Sequence, residues 1–422
     1  MFWIFLLILL LPSEVFAYLD PGTGAALVNL IIAGIATLIF SMKGFFISLV
    51  KKTNKTSKTN HSNKTLAILS EGKMYFTTFE PIIRSLLEAR IEFYYYTLDV
   101  EDPALTIDNE LMHSRFLGYG ALAYFRAGNI KVDYLLCTTP NIGCPGYPIR
   151  RSPRVQNLIH VFHSINDLSM YRKGSLDHYD TVFLVGDFQI ASIRELERKR
   201  HLKEKKIVSL GIPYLDIYAK YALSSTADNT VKTILIGSSW GTKGLLSHYG
   251  TGFIRGLAEL GYQIIVRPHP QSVAKEQSML AKCKQDLAQC DNLTWDFDPN
   301  PQQAMIKADL LISDTSSLRF DYAFVYHKPV ITLEIPMEAM PGFERDELSS
   351  IWSDSAEREI GFCLAEQEIS LLPEHIERTL SEFKPDRIRS FRDATIANYA
   401  GCGPAIADYF KVEPNSKRSI DA

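Results

Sequence analysis

From residue 65 onward the chain alternates short apolar runs with amphipathic ones. Residues 65–69, 92–97, 131–137, 157–162 and 181–185 read as strands, and residues 79–89, 114–127 and 192–205 read as helices between or after them. A second series follows. Its strands fall at 233–236, 262–267, 310–312 and 328–331, and its helices at 250–260, 277–288, 302–307, 318–326, 373–383 and 386–399. Strands separated by helices predict parallel sheets covered on both faces. The rhythm breaks at Ser209 to Asp216, where Gly211 and Pro213 fall close together, and again in the polar run 224–229. The expected fold class is therefore α/β, with two doubly wound Rossmann-like domains, 65–216 and 230–410, facing a cleft.

The first 64 residues follow a different pattern. Residues 2–11 are apolar and residues 15–17 read Val-Phe-Ala, which fits a signal peptide over 1–17 or an uncleaved first span. Residues 25–50 carry one charge, Lys43, and are long enough for a transmembrane helix. Lys51, Lys52, Lys55, Lys58 and Lys64 follow, with no Asp or Glu between Asp20 and Glu71, and cations beside a span mark its cytosolic side. Residues 51–64 read as a flexible basic linker with attraction for anionic headgroups. The expected placement is a cell membrane, the bacterial inner membrane, with everything after Lys51 in the cytosol.

Composition narrows the field. Across 422 residues the net charge is −3, which offers no general affinity for nucleic acid, and the six cysteines form no C-x-x-C pair. They read as reduced thiols rather than a disulfide framework or zinc site.

The chemistry concentrates where strands end. Arg267-Pro268-His269-Pro270 closes one strand, and the prolines place His269 in a loop at its carboxyl end. Ser313-Asp314-Thr315-Ser316-Ser317 closes another strand and opens a helix, whose first turn offers unpaired N–H groups and a partial positive charge to a phosphate. If both strands share one parallel sheet, the two loops open on one crevice. Each feature alone also fits an ordinary helix cap or a loop histidine. Across the cleft, His163 follows the strand 157–162 and suits a general base, while His160 alternates with it by strand parity and could be the buried one.

Together, Arg267-Pro268-His269-Pro270, the Ser313–Ser317 turn, Phe320-Asp321-Tyr322, Lys328-Pro329-Val330 and Gly211-Ile212-Pro213-Tyr214-Leu215-Asp216 resemble the CDP-glycerol:poly(glycerophosphate) glycerophosphotransferase family of teichoic-acid-type polymer synthesis. The resemblance covers residues 65 to about 410. It implies a GT-B fold and transfer of glycerol phosphate from CDP-glycerol to an acceptor hydroxyl on a lipid-linked glycan or polymer, with release of CMP. It also implies His163 as base, His269 as the second catalytic residue, and Arg267, Ser239, Asp314, Thr315, Ser316 and Ser317 around the donor, with no metal and no cofactor required. Where the family reads W-H-G-T this chain reads Phe162-His163-Ser164-Ile165, and where it reads P-T-[WF]-R this chain reads Ser238-Ser239-Trp240-Gly241, with Lys243 nearby. A glycosyltransferase of the same architecture with another nucleotide-activated sugar or alcohol, and a non-catalytic membrane-anchored binding module, are the alternative expectations.

Overall fold

The computed structural model describes residues 65–222, 231–336 and 342–412. The segments expected to be a signal peptide (1–17), a transmembrane helix (25–50) and a linker (51–64) lie outside the described residues. Among the described residues no helix is long and apolar enough to cross a membrane.

Seven parallel strands form the first sheet: β1 (Leu66–Ser70), β2 (Phe93–Thr97), β3 (Met112–Phe116), β4 (Val132–Cys137), β5 (Val155–Val161), β6 (Thr181–Leu184) and β7 (Lys206–Ser209), in the order β3-β2-β1-β4-β5-β6-β7. Six more, β8 (Thr233–Gly237), β9 (Gln263–Arg267), β10 (Leu293–Trp295), β11 (Leu310–Ser313), β12 (Val330–Leu333) and β13 (Gly361–Leu364), form the second, in the order β10-β9-β8-β11-β12-β13. Central strands such as β1 and β8 are buried along their whole length, because helices cover both faces of each sheet. In both sheets the strand order reverses beside the first strand, at β1/β4 and β8/β11, and ligands of open α/β sheets bind at such reversals.

Several elements differ from the sequence reading for identifiable reasons. Residues 114–127 form a strand and a helix, not one helix: β3 is an edge strand with one neighbour, so its polar Met-His-Ser-Arg-Phe sequence needs no apolar run. Gly118 and Gly120, both at positive φ, then turn the chain into the helix Gly120–Ala127. The helix read over 192–205 is Ile190–Lys199, and His201, left-handed at φ 52°, turns the chain toward β7.

The last helix, Cys402–Val412, falls within the range read as the second domain but packs against Phe76–Glu88 on the first sheet. Close approach requires Gly403, where a Cβ would lie 2.6 Å from the Pro81 carbonyl oxygen. The Asp216 carboxylate fixes the start of this helix by accepting the N–H groups of Cys402 (2.9 Å) and Gly403 (2.7 Å), a favourable place for negative charge. On the other flank, residues 342–349 reach back to the first sheet's layer. Lys173 N–H donates to the Gly342 carbonyl at 2.8 Å, and Arg200 pairs with Asp177 (2.9 Å), Glu347 (2.7 Å) and the buried Glu344.

Candidate active site

Register brings three loops of the second sheet level with one another. Gly237 at the end of β8 is paired with Arg267 on β9 and with Ser313 on β11. Strands about 4.8 Å apart therefore place the loops after β9 and β11 about 10 Å from each other, with the β8 loop between them. His269 leaves one flank, Asp314–Ser317 the other, and Ser239 the middle.

Asp314 joins two of these loops. Its carboxylate is fully buried and accepts from Ser239 N–H (2.9 Å), Ser239 Oγ (2.8 Å), Leu245 N–H (2.6 Å) and Ser316 N–H (3.0 Å). Burial raises its pKa and these donors oppose the rise. An acceptor-only group turned toward backbone N–H groups cannot itself hold a phosphate. Asp314 and Ser239 thus position the loop through these atoms.

The free donors lie just beyond. Thr315 is exposed, and the hydroxyls of Thr315 and Ser317 have no partner among the described residues. Ser316 Oγ instead accepts the Leu318 N–H at 3.3 Å. These hydroxyls sit at the positive end of the nine-residue helix Leu318–Tyr326. His269 starts the short helix Pro270–Lys275, and its Nδ1 accepts the Gln271 N–H at 3.0 Å, which leaves the proton on Nε2. Burial lowers its pKa, against the opposing pull of Asp314 and Glu276, so His269 works as a neutral N–H donor rather than an imidazolium.

Arg267 does not join this set. Its buried guanidinium pairs with Asp296 at 2.5 Å, just past β10, and donates to the Pro299 carbonyl at 3.4 Å. Arg267 therefore braces the sheet edge. Lys243 is likewise occupied, its Nζ lying 3.1 Å from the Pro336 carbonyl.

The first sheet contributes the β5 loop. His160 is fully buried, with Nε2 3.2 Å from the Tyr171 hydroxyl, and burial pushes its pKa down to about 3. His163 is half-buried, packs edge-on against Tyr75 (5.2 Å between centroids), and its Nδ1 has no partner among the described residues. Burial lowers its pKa to about 4, so it is a neutral imidazole able to take a proton.

This loop touches the second domain. The Tyr214 hydroxyl, which the Ile165 backbone also reaches, donates to Asp321 on the Leu318–Tyr326 helix, and Asp167 accepts the Ser353 N–H at 2.8 Å. The loop carrying His163 is thus tied to the helix whose start carries Ser317. In the sequence Tyr214 and Asp321 stand out only as motif positions, because 107 residues separate the two partners. Burial pushes the Asp321 pKa up to about 7.

Among the described residues, the side chains close enough to share a metal ion are Glu334, Glu357 and Cys363, near the ends of β12 and β13. Glu357 is paired with Arg319 at 2.6 Å and Glu334 with Arg358 at 3.1 Å, so arginine already neutralises both carboxylates.

No family model matches the chain, and no curated protein sequence matches it. Solved structures do. The UDP-GlcNAc 2-epimerase of Methanocaldococcus jannaschii aligns with 82% of this chain and 99% of its own, at 14% identity and a TM-score of 0.54. The S. aureus MnaA–UDP co-structure aligns over 83% and 97%, at 12% identity and 0.53. The UDP-GlcNAc 2-epimerase of Neisseria meningitidis bound to UDP-GlcNAc aligns over 84% and 100%, at 15% identity and 0.50. Likeness at these identities speaks for architecture alone: this chain has the two-domain α/β fold of the GT-B type.

Proposed function

We propose that the protein is a membrane-anchored transferase that moves glycerol phosphate from CDP-glycerol to a hydroxyl of a lipid-linked acceptor at the cytosolic face, releasing CMP. The observation that carries this reading is the level exit of the three loops at the β8/β11 reversal, tied through Tyr214 and Asp321 to the loop that bears His163. The acceptor oxygen attacks the phosphorus that carries glycerol, and the bond to the CMP oxygen breaks. The proton goes to the His163 imidazole. Charge growing on the departing phosphate meets the Thr315 and Ser317 hydroxyls, the helix start and the His269 Nε2–H, whose ring is held through Nδ1. A base held near pKa 4 is weak on its own, but donor phosphates entering the cleft raise it, since nearby negative charge favours imidazolium.

The reading is tested with the full chain in vesicles given CDP-glycerol. CMP release is expected, and His269→Ala should abolish it; an unchanged rate in that variant overturns the assigned site. A second reading is transfer of a sugar from a UDP-sugar, favoured by the UDP and UDP-GlcNAc found with structures of the same architecture. A panel of nucleotide donors separates the two by thermal shift, because a donor at 100 times its Kd stabilises by about 2.7 kcal/mol. If no nucleotide shifts the melting curve, a non-catalytic binding module is the better description.

A further inference from the structure

The helix Gly120–Ala127 is built inside out. Its inward residues are Ala123 and Ala127, each 2% exposed, while Leu122 is 54% and Phe125 67% exposed, with Tyr119 and Tyr124 at 36%. A helix on a globular surface ordinarily turns its large apolar side chains inward, so a face of this kind marks a partner.

We infer that the Leu122–Phe125 face rests on the anionic lipid surface of the membrane to which the chain is tethered. Position supports the bilayer as occupant. Asp133, six residues beyond the helix, accepts the Thr65 N–H (2.7 Å) and hydroxyl (2.9 Å), so the helix ends within about 20 Å of the point where the basic linker joins the domain. The 14 residues from 51 to 64 span at most about 50 Å when fully extended, which keeps this corner close to any bilayer crossed by residues 25–50. Charge agrees. Between Glu110 and Asp133 there is no acidic residue, whereas Arg115, Arg126 and Lys131 all occur there and are exposed. Aromatic side chains among cations suit the headgroup boundary. The helix also begins at the carboxyl-end edge of the first sheet, the edge that bears His163.

The inference rests on the reading that residues 25–50 anchor the chain, and one experiment separates the two. The full chain is reconstituted in phosphatidylcholine/phosphatidylglycerol vesicles containing a phospholipid with a photoreactive acyl chain, and labelled peptides are mapped by mass spectrometry. Labelling is expected in residues 119–126 as well as in 25–50. A Leu122→Ser/Phe125→Ser variant with an unchanged melting curve should lose at least tenfold of the helix label and keep the anchor label. Label on 25–50 alone overturns the lipid-contact face and leaves the anchor standing. Label on neither removes both. Cross-links joining this helix to residues 25–50 or to a second copy assign the face to protein and overturn the bilayer as its occupant.

Discussion

The carboxyl-end edges of the two sheets are built differently. At the second sheet, the Asp314 carboxylate gathers donors from three stretches of backbone and leaves the loops with few polar choices. At the first, Thr138 Oγ1, Thr139 Oγ1, His160 Nδ1, His163 Nδ1 and Asn166 Oδ1 are buried with no partner among the described residues, and all five follow or end β4 and β5. Unpaired buried polar atoms are uncommon in folded proteins, and although Glu276 Oε2 and Gln302 Nε2 of the second domain are also unpaired among the described residues, the gathering of five at one edge calls for an explanation. On the proposed function, the donor edge is organised before any ligand arrives, and the acceptor edge completes its hydrogen bonding with the acceptor's hydroxyls.

The largest effect that tests this contrast is loss of Asp314. Asp314→Ala strands several buried donors, each worth about 1–3 kcal/mol, and should lower stability by about 3–5 kcal/mol in urea unfolding while abolishing donor-induced thermal shifts. Asp314→Asn keeps one acceptor oxygen and should lose less. A change below about 1 kcal/mol for the alanine variant would show that the donor edge is not held as described.

At the other edge the order of effects reverses. His163→Ala removes a side chain whose Nδ1 bonds nothing, so stability should change little, while the transfer rate should fall by about 10²- to 10⁴-fold, the usual worth of a positioned base. CMP release under saturating donor, beside a urea curve, reads both quantities. Equal losses of stability and rate would make His163 a structural residue.

The two sides also respond to pH in opposite senses. His160 and His163 have folded pKa values depressed to about 3 and about 4, so the stability they contribute is full above the free-histidine value near 6.5 and is lost as pH falls toward 4. Asp321 has a folded value raised to about 7, so its contribution is full below about 4 and is lost as pH rises through 7. Asp321→Asn retains an acceptor for Tyr214 and should raise the urea midpoint relative to wild type more at pH 8 than at pH 5. A difference that does not depend on pH would place the Asp321 titration elsewhere.

What the sequence made legible follows from how far apart partners lie along the chain. Central parallel strands announce themselves as apolar runs, and β8, β9 and β11 emerged within a residue or so of their observed ends. The edge strands β3 and β7, the three-residue β10 and the glycine-led β13 carry too short or too polar a pattern to stand out. The site divides in the same way. His269 and the Ser-Asp-Thr-Ser-Ser turn were visible because proline and hydroxyl residues mark loops locally. The duties of Arg267 and Asp314 were not, since their partners Asp296, Ser239 and Leu245 lie 29 to 75 residues away. A residue's type shows what it can bind, and only the sheet register shows what already binds it.

The smallest expected effect separates the edges by sign. Ser239→Ala removes a hydroxyl bonded to the Asp314 carboxylate at 2.8 Å and should destabilise by about 1.5–3 kcal/mol, as expected for a hydrogen bond to a charged group. Thr138→Val replaces a buried hydroxyl without a partner by a methyl group of nearly the same shape, so the free protein should be unchanged or more stable by up to about 1 kcal/mol. If acceptor hydroxyls complete the first edge, the same variant should raise the acceptor KM about five- to tenfold, because a bond worth about 1 kcal/mol is then missing only in the complex. A destabilised Thr138→Val protein with an unchanged acceptor KM would mean that this hydroxyl bonds within the folded chain, and the contrast between the two edges would shrink to the histidines.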